Sequence, residues 1–348
     1  MKRYLEKRAN PKLLSVVIPC FNEEKVLPFL QSRIINVLES FRLKFELILV
    51  NDGSSDRTIF QLVEWAEKDA RVKIISLSRN FGHQIAVTAG MDYASGDAVV
   101  IMDADLQDPP EVIGKMLEKY KEGYDVVYGQ RLARSGESFF KKVTAWAFYR
   151  LMKILVHRDL PLDSGDFRLI SRRCLIELNR LRENHRFLRG MNAWIGFPQT
   201  PVFYNRDPRV AGETKYPLRK MLKLAMNAAV SFSPLPLRFS LALGIFVAML
   251  GFIVGAYALF RAFQHFILEL PIVYNPGWAT IVTLICLIGG SILISIGILG
   301  EYVARIFEES KGRPLYVIEF IKTKGKKKIE REILNHSEEY LKKSRFGF

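Results

Sequence analysis

The chain has 348 residues, of which 49% are hydrophobic and 25% are charged, and its formal net charge is +15. This length exceeds that of one typical domain, and the hydrophobic fraction is high for a soluble protein with so many charges. An excess of basic residues is typical of proteins that bind nucleic acid, but no basic-aromatic motif of a known RNA-binding or DNA-binding module occurs. An anionic membrane surface and phosphate-bearing substrates are therefore better candidates for partners than nucleic acid.

Residues 15 to 130 alternate short apolar runs with amphipathic stretches. The runs predict strands at 15–18, 45–50, 72–76, 98–102 and 126–128, and the stretches between them predict helices at 24–40, 56–70, 82–94 and 110–122. Regular alternation of this kind predicts an α/β fold with a mostly parallel, Rossmann-like sheet. In such sheets, ligands bind outside the carboxyl ends of the strands.

The most informative stretch is DAVVIMDADLQD at 97–108, an apolar strand that ends in Asp103 and Asp105. Side chains two residues apart in an extended segment point the same way, so the two carboxylates can meet one divalent cation. Hard oxygen ligands suit Mg²⁺ or Mn²⁺, which usually bridge one or two carboxylates and the phosphates of a substrate. The alternative is a pair of loop carboxylates that cap the following helix.

Two further predicted strands end in polar residues. Asn22 and Glu23 follow the first strand, and Asp52 follows the second. Acidic residues at three strand ends strengthen the interpretation as a metal-nucleotide site. The chain contains no glycine-rich dinucleotide fingerprint, P-loop, zinc-protease helix motif or serine-esterase elbow, which argues against those classes of enzyme.

Two uncharged stretches, 239–260 and 277–300, are each long enough to cross the roughly 30 Å hydrocarbon core of a membrane. Buried core helices are the alternative. The connection 261–276 contains one Arg and no Lys, whereas the chain from 304 onward holds 12 Lys and Arg against 7 acids. Because positive residues stay in the cytoplasm, both termini are predicted to be cytoplasmic.

These patterns predict three parts: a cytoplasmic catalytic domain (1–235), a transmembrane hairpin (236–303) and a basic cytoplasmic tail (304–348). Before the spans, 138–156 and 217–232 are basic and amphipathic. Such helices lie in the headgroup plane of a membrane, although packing against a protein core is the alternative. Small residues in the spans would permit close helix contact, so a homo-oligomer is plausible.

Six motifs occur in order: VVIPCFNEE at 16–24, LVNDGSSDRT at 49–58, LSRNFGHQIAVTAGMDYASGD at 77–97, MDADLQDPPE at 102–111, GQR at 129–131 and DSGDFRLISRR at 163–173. Together they resemble the family-2 glycosyltransferases of the GT-A fold. Within that family, the chain most resembles the polyprenyl-phosphate glycosyltransferases, dolichol-phosphate mannose synthase and, more closely, the bacterial bactoprenol glucosyltransferases, which also carry two C-terminal spans.

The resemblance implies roles for particular residues. Those implied to surround the nucleotide sugar are Pro19, Asn22, Glu23, Asp52, Asp103, Ala104 and Asp105. Those implied to hold Mg²⁺ or Mn²⁺ are Asp103, Asp105 and Gln107, with the metal neutralising the leaving UDP. Arg131 and Arg168 are implied to meet phosphate, either of the leaving group or of the acceptor, with a surface ion pair as the alternative for each. Arg209 and Lys215 are implied to hold the phosphate of the lipid acceptor.

The resemblance also implies that Asp163 and Asp166 are the carboxylates nearest the anomeric carbon, and these two and Asp105 are the candidate catalytic residues. A hydroxyl acceptor needs a carboxylate base, but a lipid phosphate is mostly dianionic at neutral pH and does not. A role in positioning or as a base is therefore left open for both, and for Asp166 the alternative is an ion pair with Arg168 on a strand face.

The implied activity is inverting transfer of a hexose, glucose from UDP-glucose, onto undecaprenyl or a related polyprenyl phosphate at the cytoplasmic leaflet. Mannosyl and aminosugar transfer are alternatives. A processive polysaccharide synthase is disfavoured because none of the four tryptophans lies in a Gln-x-x-Arg-Trp motif. A flippase or sensor is disfavoured because spans without charge offer a sugar no polar path.

Overall fold

The computed structural model describes residues 5–132, 164–207, 235–268 and 277–329. The chain divides into two compact units. One comprises Met1–Pro217 with Arg313–Phe348, and the other comprises Leu218–Gly312.

The first unit is built on a nine-stranded mixed sheet with the order β7-β5-β6-β4-β1-β2-β3-β8-β9. Its strands are β1 (Leu13–Cys20), β2 (Lys44–Asn51), β3 (Val72–Leu77), β4 (Ala98–Ile101), β5 (Val126–Arg131), β6 (Ser164–Ser171), β7 (Gln199–Tyr204), β8 (Ile318–Thr323) and β9 (Lys326–Ile329). Strands β4, β1, β2 and β3 are parallel to one another, and β7 is parallel to β5. Strand β6 is antiparallel to both β4 and β5.

The helices of this unit are α1 (Leu27–Ser40), α2 (Thr58–Lys68), α3 (His83–Asp92), α4 (Val112–Lys121), α5 (Arg172–Arg180) and α6 (Leu188–Ile195). Helix α3 approaches the sheet closely at Gly90, where an added Cβ would lie 2.3 Å from Val17 Cγ1. The bare backbone of Gly90 thus lets α3 pack directly on β1. This contact sets the distance between α3 and the sheet.

The parallel strands bring their carboxyl ends to one edge of the sheet. Cys20 lies opposite Asn51, and Val17 lies opposite both Ile48 and Ile101. The loops that follow β1, β2 and β4 therefore begin side by side. This confirms the α/β fold with a mostly parallel sheet, along with the five predicted strands and four predicted helices of residues 15 to 130.

The sheet also contains strands from outside that region. Strand β6 lies between β4 and β5, and β8 pairs with β3 in antiparallel fashion. Residues 304–348 are expected from the sequence to form a basic tail, but Ile318 is buried and 318–329 form two strands of the sheet. The lysines of β9 lie on an edge strand, where charge discourages pairing with another chain.

The second unit consists of two long helices, α7 (Leu235–Leu268) and α8 (Trp278–Ser310). Leu235–Tyr257 and Thr283–Ser310 have mean hydropathies of 2.4 and 2.3, and by length and composition both could cross a membrane. Their apolar side chains are exposed in the chain alone, with Phe252 at 76% and Leu293 at 71%. A core helix of a soluble protein would bury such side chains, so the exposure favours membrane spans.

Replacing Asp125 with Ala is expected to lower the free energy of unfolding by about 3 kcal/mol. Its carboxylate is fully buried and accepts hydrogen bonds from Arg8 (2.8 Å), from Ser171 Oγ (2.6 Å) and from Arg173. Burial raises the pKa of Asp125, but the bonds from Arg173 and Ser171 outweigh it and lower the pKa below its usual value. Without the carboxylate, the cations and hydroxyl around it lose a shared partner.

Urea unfolding of the detergent-solubilised protein would measure the loss. Glu177→Ala is the matched control, because Glu177 makes an exposed ion pair with Arg180 one turn away on α5. Exposed pairs contribute little to stability. Equal midpoints for the two variants would contradict the structural role of Asp125.

Candidate active site

The loop after β4 turns sharply at the Asp-x-Asp sequence. Leu106 adopts a left-handed conformation with φ of 57°, which is uncommon outside glycine, and Gln107 N donates to Asp105 Oδ1 at 3.1 Å. Ala104 and Gln107 are buried. Backbone strain of this kind concentrates at functional sites, where the surrounding structure maintains it. The loop thus holds Asp103 and Asp105 in fixed places at the edge of the sheet.

Asp103 Oδ1 is buried and has no hydrogen-bond partner among the described residues. Burial raises the pKa of Asp103 to about 6, although His83 acts in the opposite direction. A buried carboxylate oxygen without a donor is costly unless a ligand satisfies it. Asp103 Oδ1 is therefore suited to bind a ligand.

The proposed metal ligands Asp103, Asp105 and Gln107 share this loop. Within the described ranges, no group of three or more His, Cys, Asp and Glu is arranged to hold a metal. Mg²⁺ commonly needs fewer protein ligands, because it retains waters and takes the rest of its oxygens from substrate phosphates. Asp103 Oδ1, which accepts no hydrogen bond within the described ranges and has the His83 imidazole 3.5 Å away, fits such a site, in which the substrate would complete the coordination.

The loops after β1 and β2 are joined by hydrogen bonds. Asn22 N donates to Ser54 Oγ at 3.0 Å, Asn22 Oδ1 accepts from Ser55 N at 2.9 Å, and Glu23 N donates to Thr58 Oγ1 at 2.8 Å. Pro19 pairs in register with Val50 at the end of β1. The structure thus brings together the residues expected at the nucleotide end of the site.

Asp52 is almost fully buried, and both of its oxygens are occupied. They accept from Phe81 N at 2.7 Å and Gly82 N at 3.0 Å, in the loop that leads into α3. The neighbouring Gly53 has φ of 65°, and a Cβ there would lie 2.4 Å from the carbonyl carbon of Arg79. Only glycine fits this crossing. Asp52 therefore fixes the start of α3, which carries the next group of site residues.

Asp166, on β6, is 9% exposed and is contacted from two helices, α3 and α6. Gln84 Nε2 donates to its Oδ2 at 2.9 Å, Arg189 Nε donates to its Oδ1 at 2.9 Å, and His83 Nε2 lies 3.4 Å from Oδ2. Burial raises the pKa of Asp166, but Arg189, His83 and Arg168 outweigh it and lower the pKa well below its usual value. The carboxylate stays ionised. Asp163 lies outside the described residues.

His83 connects the two acidic positions. Its Nε2 lies 3.5 Å from Asp103 Oδ1 as well as 3.4 Å from Asp166 Oδ2. Burial lowers the pKa of His83, but the two carboxylates raise it above its ordinary value overall. When protonated, the imidazole reduces the repulsion between the Asp103 and Asp166 carboxylates. Because it contacts both, the two carboxylates line the same crevice.

Arg168 is buried, and its guanidinium bonds mainly to the backbone. Its Nη2 donates to Gly165 O at 3.0 Å, its Nε donates to Asp166 O at 3.2 Å, and Nη2 lies 3.7 Å from Asp166 Oδ1. Burial lowers the pKa of Arg168 to about 10. Arg168 therefore forms the ion pair with Asp166 that the sequence analysis gave as the alternative to a catalytic role for Asp166.

Arg131, at the end of β5, lies beside a buried carboxylate that the sequence did not single out. Arg131 Nη2 is 3.5 Å from Asp108 Oδ1, and Tyr204 donates its hydroxyl to the same oxygen at 2.5 Å. Asp108 Oδ2 is buried without a partner in the described part of the chain. Arg209 and Lys215, the other two expected phosphate ligands, lie outside the described residues.

Replacing Tyr204 with Phe is expected to lower the free energy of unfolding by about 2 kcal/mol, since a hydrogen bond to a buried charged group is lost. It should also reduce activity several-fold, because Arg131 Nε lies 3.5 Å from the same hydroxyl. Tyr128→Phe on β5 is the control, because the hydroxyl of Tyr128 makes no hydrogen bond within the described ranges and the substitution leaves its backbone pairing in the sheet unchanged. Unfolding curves that coincide for the two variants would contradict the role of Tyr204.

Four residues at this site were not predicted to act there: His83, Gln84, Asp108 and Arg189. The first three lie in motifs that carry the family resemblance, NFGHQ and DADLQD, and closer attention to those motifs would have indicated them. Arg189 follows no strand end and belongs to no such motif. Its place beside Asp166 depends on how α6 packs, which no local pattern reports.

Comparison with known proteins identifies the family. The model for glycosyl transferase family 2 matches residues 15–178. The uncharacterized glycosyltransferase YkcC of Bacillus subtilis is 48% identical over 308 residues, covering 88% of this chain and 93% of that protein. A bactoprenol glucosyl transferase of Shigella phage SfV is 38% identical over 313 residues, covering 89% and 99%.

Among solved structures, a glucosyl-3-phosphoglycerate synthase from Mycobacterium tuberculosis, crystallised with Mn²⁺, UDP and phosphoglyceric acid, aligns with a TM-score of 0.43 and 21% identity, covering 63% of this chain and 76% of that one. The sequence relatives extend along most of this chain, well beyond the region of the family model. On that sequence evidence, the chain belongs to glycosyltransferase family 2.

Proposed function

We propose that this glycosyltransferase transfers glucose from UDP-glucose to a polyprenyl phosphate, such as undecaprenyl phosphate, at the cytoplasmic face of the membrane, with inversion at the anomeric carbon. The observation that carries the proposal is the pairing of two kinds of group at one crevice. Asp103, which suits a metal-bound diphosphate, lies 3.5 Å from His83, and His83 lies 3.4 Å from Asp166, the carboxylate that Arg168 and Arg189 contact. A donor and an anionic acceptor would meet there.

The acidic side of the crevice suits the donor. Asp103 and Asp105 would hold Mg²⁺ or Mn²⁺ together with the diphosphate, and Gln107 would complete the site. The metal, when bound, neutralises charge on the departing UDP. Asn22, Glu23 and Pro19 would line the pocket for the base and ribose, and Asp52 would act by fixing the loop at Phe81 and Gly82.

The cationic side suits a phosphate acceptor. An oxygen of the lipid phosphate forms a bond to C1 of the sugar while the bond from C1 to the β-phosphate oxygen of UDP breaks, and UDP departs with the electron pair. No proton must be removed, because the acceptor is already anionic at neutral pH. Attack from the face opposite UDP converts an α-linked donor into a β-linked product. Arg131 would hold the acceptor phosphate.

Two features support a lipid acceptor. The apolar helices α7 and α8 have the length and composition of membrane spans. Strands β5 and β7 end together, with Arg131 opposite Tyr204 and Leu132 N donating to Tyr204 O at 3.0 Å. The basic amphipathic sequences 138–156 and 217–232 follow these strand ends in the chain.

A transfer assay tests the proposal directly. The purified protein in detergent is incubated with undecaprenyl phosphate, Mg²⁺ or Mn²⁺, and radiolabelled UDP-glucose, UDP-N-acetylglucosamine, GDP-mannose or a nucleotide aminosugar in separate reactions. We expect label in the organic phase with UDP-glucose only, dependent on both lipid and metal. A product from another donor would overturn the glucose assignment. No organic-soluble product from any donor would overturn transfer to a lipid phosphate.

A further inference from the structure

We infer that Arg189 contacts the phosphate of the acceptor, and that Gln84 and Asp166 are positioning residues that aim Arg189 at it. The inference deepens the proposed function and rests on it. It concerns α6 and the start of α3, neither of which contributes to the phosphate-binding set expected from the sequence.

The geometry begins with Gln84, which uses both ends of its amide. Its Nε2 donates to Asp166 Oδ2 at 2.9 Å, and its Oε1 accepts from Leu188 N at 3.1 Å. One side chain thus joins the carboxylate on β6 to the first residue of α6. Arg189 is the next residue, and its Nε donates to Asp166 Oδ1 at 2.9 Å. Two bonds to one carboxylate fix where the Arg189 guanidinium lies.

Three guanidinium groups come close together at this place. Arg189 is close enough to Arg131 and Arg168 for repulsion between the guanidinium groups. Among the described residues, the carboxylates beside these groups include Asp166, Asp108 and Asp103. Asp103 and Asp105 are already assigned to the metal-bound donor. Neighbouring guanidinium groups raise the local positive potential, so an anionic ligand would stabilise the cluster.

Exposure distinguishes Arg189 from Arg168. The side chain of Arg168 is 4% exposed and bonds to backbone carbonyls, whereas that of Arg189 is 32% exposed. A phosphate entering the crevice can therefore reach Arg189. A guanidinium group presents parallel donors that match two phosphate oxygens, and a lysine ammonium does not reproduce this geometry. The expected ligand is a phosphate monoester dianion, which the head of a polyprenyl phosphate supplies.

Steady-state kinetics with Arg189→Gln and Arg189→Lys tests this role. We expect KM for undecaprenyl phosphate to rise about 10-fold to 100-fold in both variants, since a charged hydrogen bond to the ligand is lost or misplaced. The Kd for UDP-glucose, measured by equilibrium dialysis, should stay within about twofold. Gln84→Leu should raise the same KM, because it removes both bonds that orient α6. Arg180→Gln, on the exposed face of α5, is the matched control.

Labelling of the wild-type protein gives a second test that needs no variant to fold. Phenylglyoxal modifies accessible arginines, and peptide mass spectrometry reports each one. Undecaprenyl phosphate should protect Arg189 and leave Arg180 modified. A parallel reaction with inorganic phosphate shows whether the phosphate alone suffices or the lipid is required.

The outcomes separate this inference from the proposed function. If the wild-type protein forms no lipid-linked sugar, the proposed function fails. If it does, an unchanged lipid KM in both Arg189 variants, or no protection of Arg189, overturns the inference. An equal loss of UDP-glucose binding would place Arg189 at the donor instead and would also overturn it.

Discussion

Replacing Asp105 with Ala is expected to reduce sugar transfer by about 10² to 10³-fold, on the order of the loss when one group that stabilises developing charge is removed. The carboxylate is held by the bond from Gln107 N at 3.1 Å and by the left-handed turn at Leu106. Radiolabel in the organic phase measures the loss, and titration with Mn²⁺ measures the change in metal requirement.

Asp105→Glu refines the result. It keeps the charge but moves the carboxylate by one methylene, so activity should stay low while Mn²⁺ still binds with reduced affinity. Glu111→Ala is the control from the same stretch of chain, because Glu111 pairs with Arg33 on the surface. Transfer by Asp105→Ala within about tenfold of the wild-type rate would remove this residue from the reaction. A flippase would keep its activity in that variant.

The sequence predicts the parallel part of the sheet because those strands report their burial locally. Strands β1, β2 and β4 are nearly continuous apolar runs, as expected for strands covered on both faces. Strand β6 does not show this apolar pattern, because Asp166 and Arg168 are buried within it as an ion pair. Strands β8 and β9 do not show it either, because they contain lysines and lie at one end of the sheet. A residue pattern cannot show that a charge is buried with its partner.

The same limit applies to the site. Asp103 and Asp105 end an apolar strand, so their place at the sheet edge follows from the chain itself. The contacts of Asp166 with His83, Gln84 and Arg189 span 83, 82 and 23 residues of sequence, and they depend on the packing of α3 and α6 against β6. Asp52 was expected to meet the nucleotide, whereas its oxygens bond to the loop before α3. Long-range contacts of this kind need the fold.

Replacing Asp166 distinguishes a base from a positioning residue. Asp166→Ala leaves Arg168 and Arg189 without their shared carboxylate, so we expect loss of about 3 to 5 kcal/mol of stability and nearly complete loss of transfer. Asp166→Asn keeps the shape of the side chain, and its amide oxygen can still accept the hydrogen bond from Arg189 Nε. Its amide NH₂ then faces Gln84 Nε2, which is also a donor, so the bond from Gln84 is lost. This variant separates the two roles, because it preserves much of the geometry and removes the proton-accepting group.

A general base contributes about 10² to 10⁴-fold to rate, so if Asp166 were the base, the Asn variant would lose kcat by that factor at all lipid concentrations. We expect instead that kcat falls by less than about tenfold and that KM for undecaprenyl phosphate rises, because the asparagine orients Arg189 less well. Two cations and an amide already bond to this carboxylate, and its pKa lies well below the usual value, which makes it a weak proton acceptor. A phosphate dianion brings its own nucleophilic oxygen. A large fall in kcat with an unchanged lipid KM would restore Asp166 as the base.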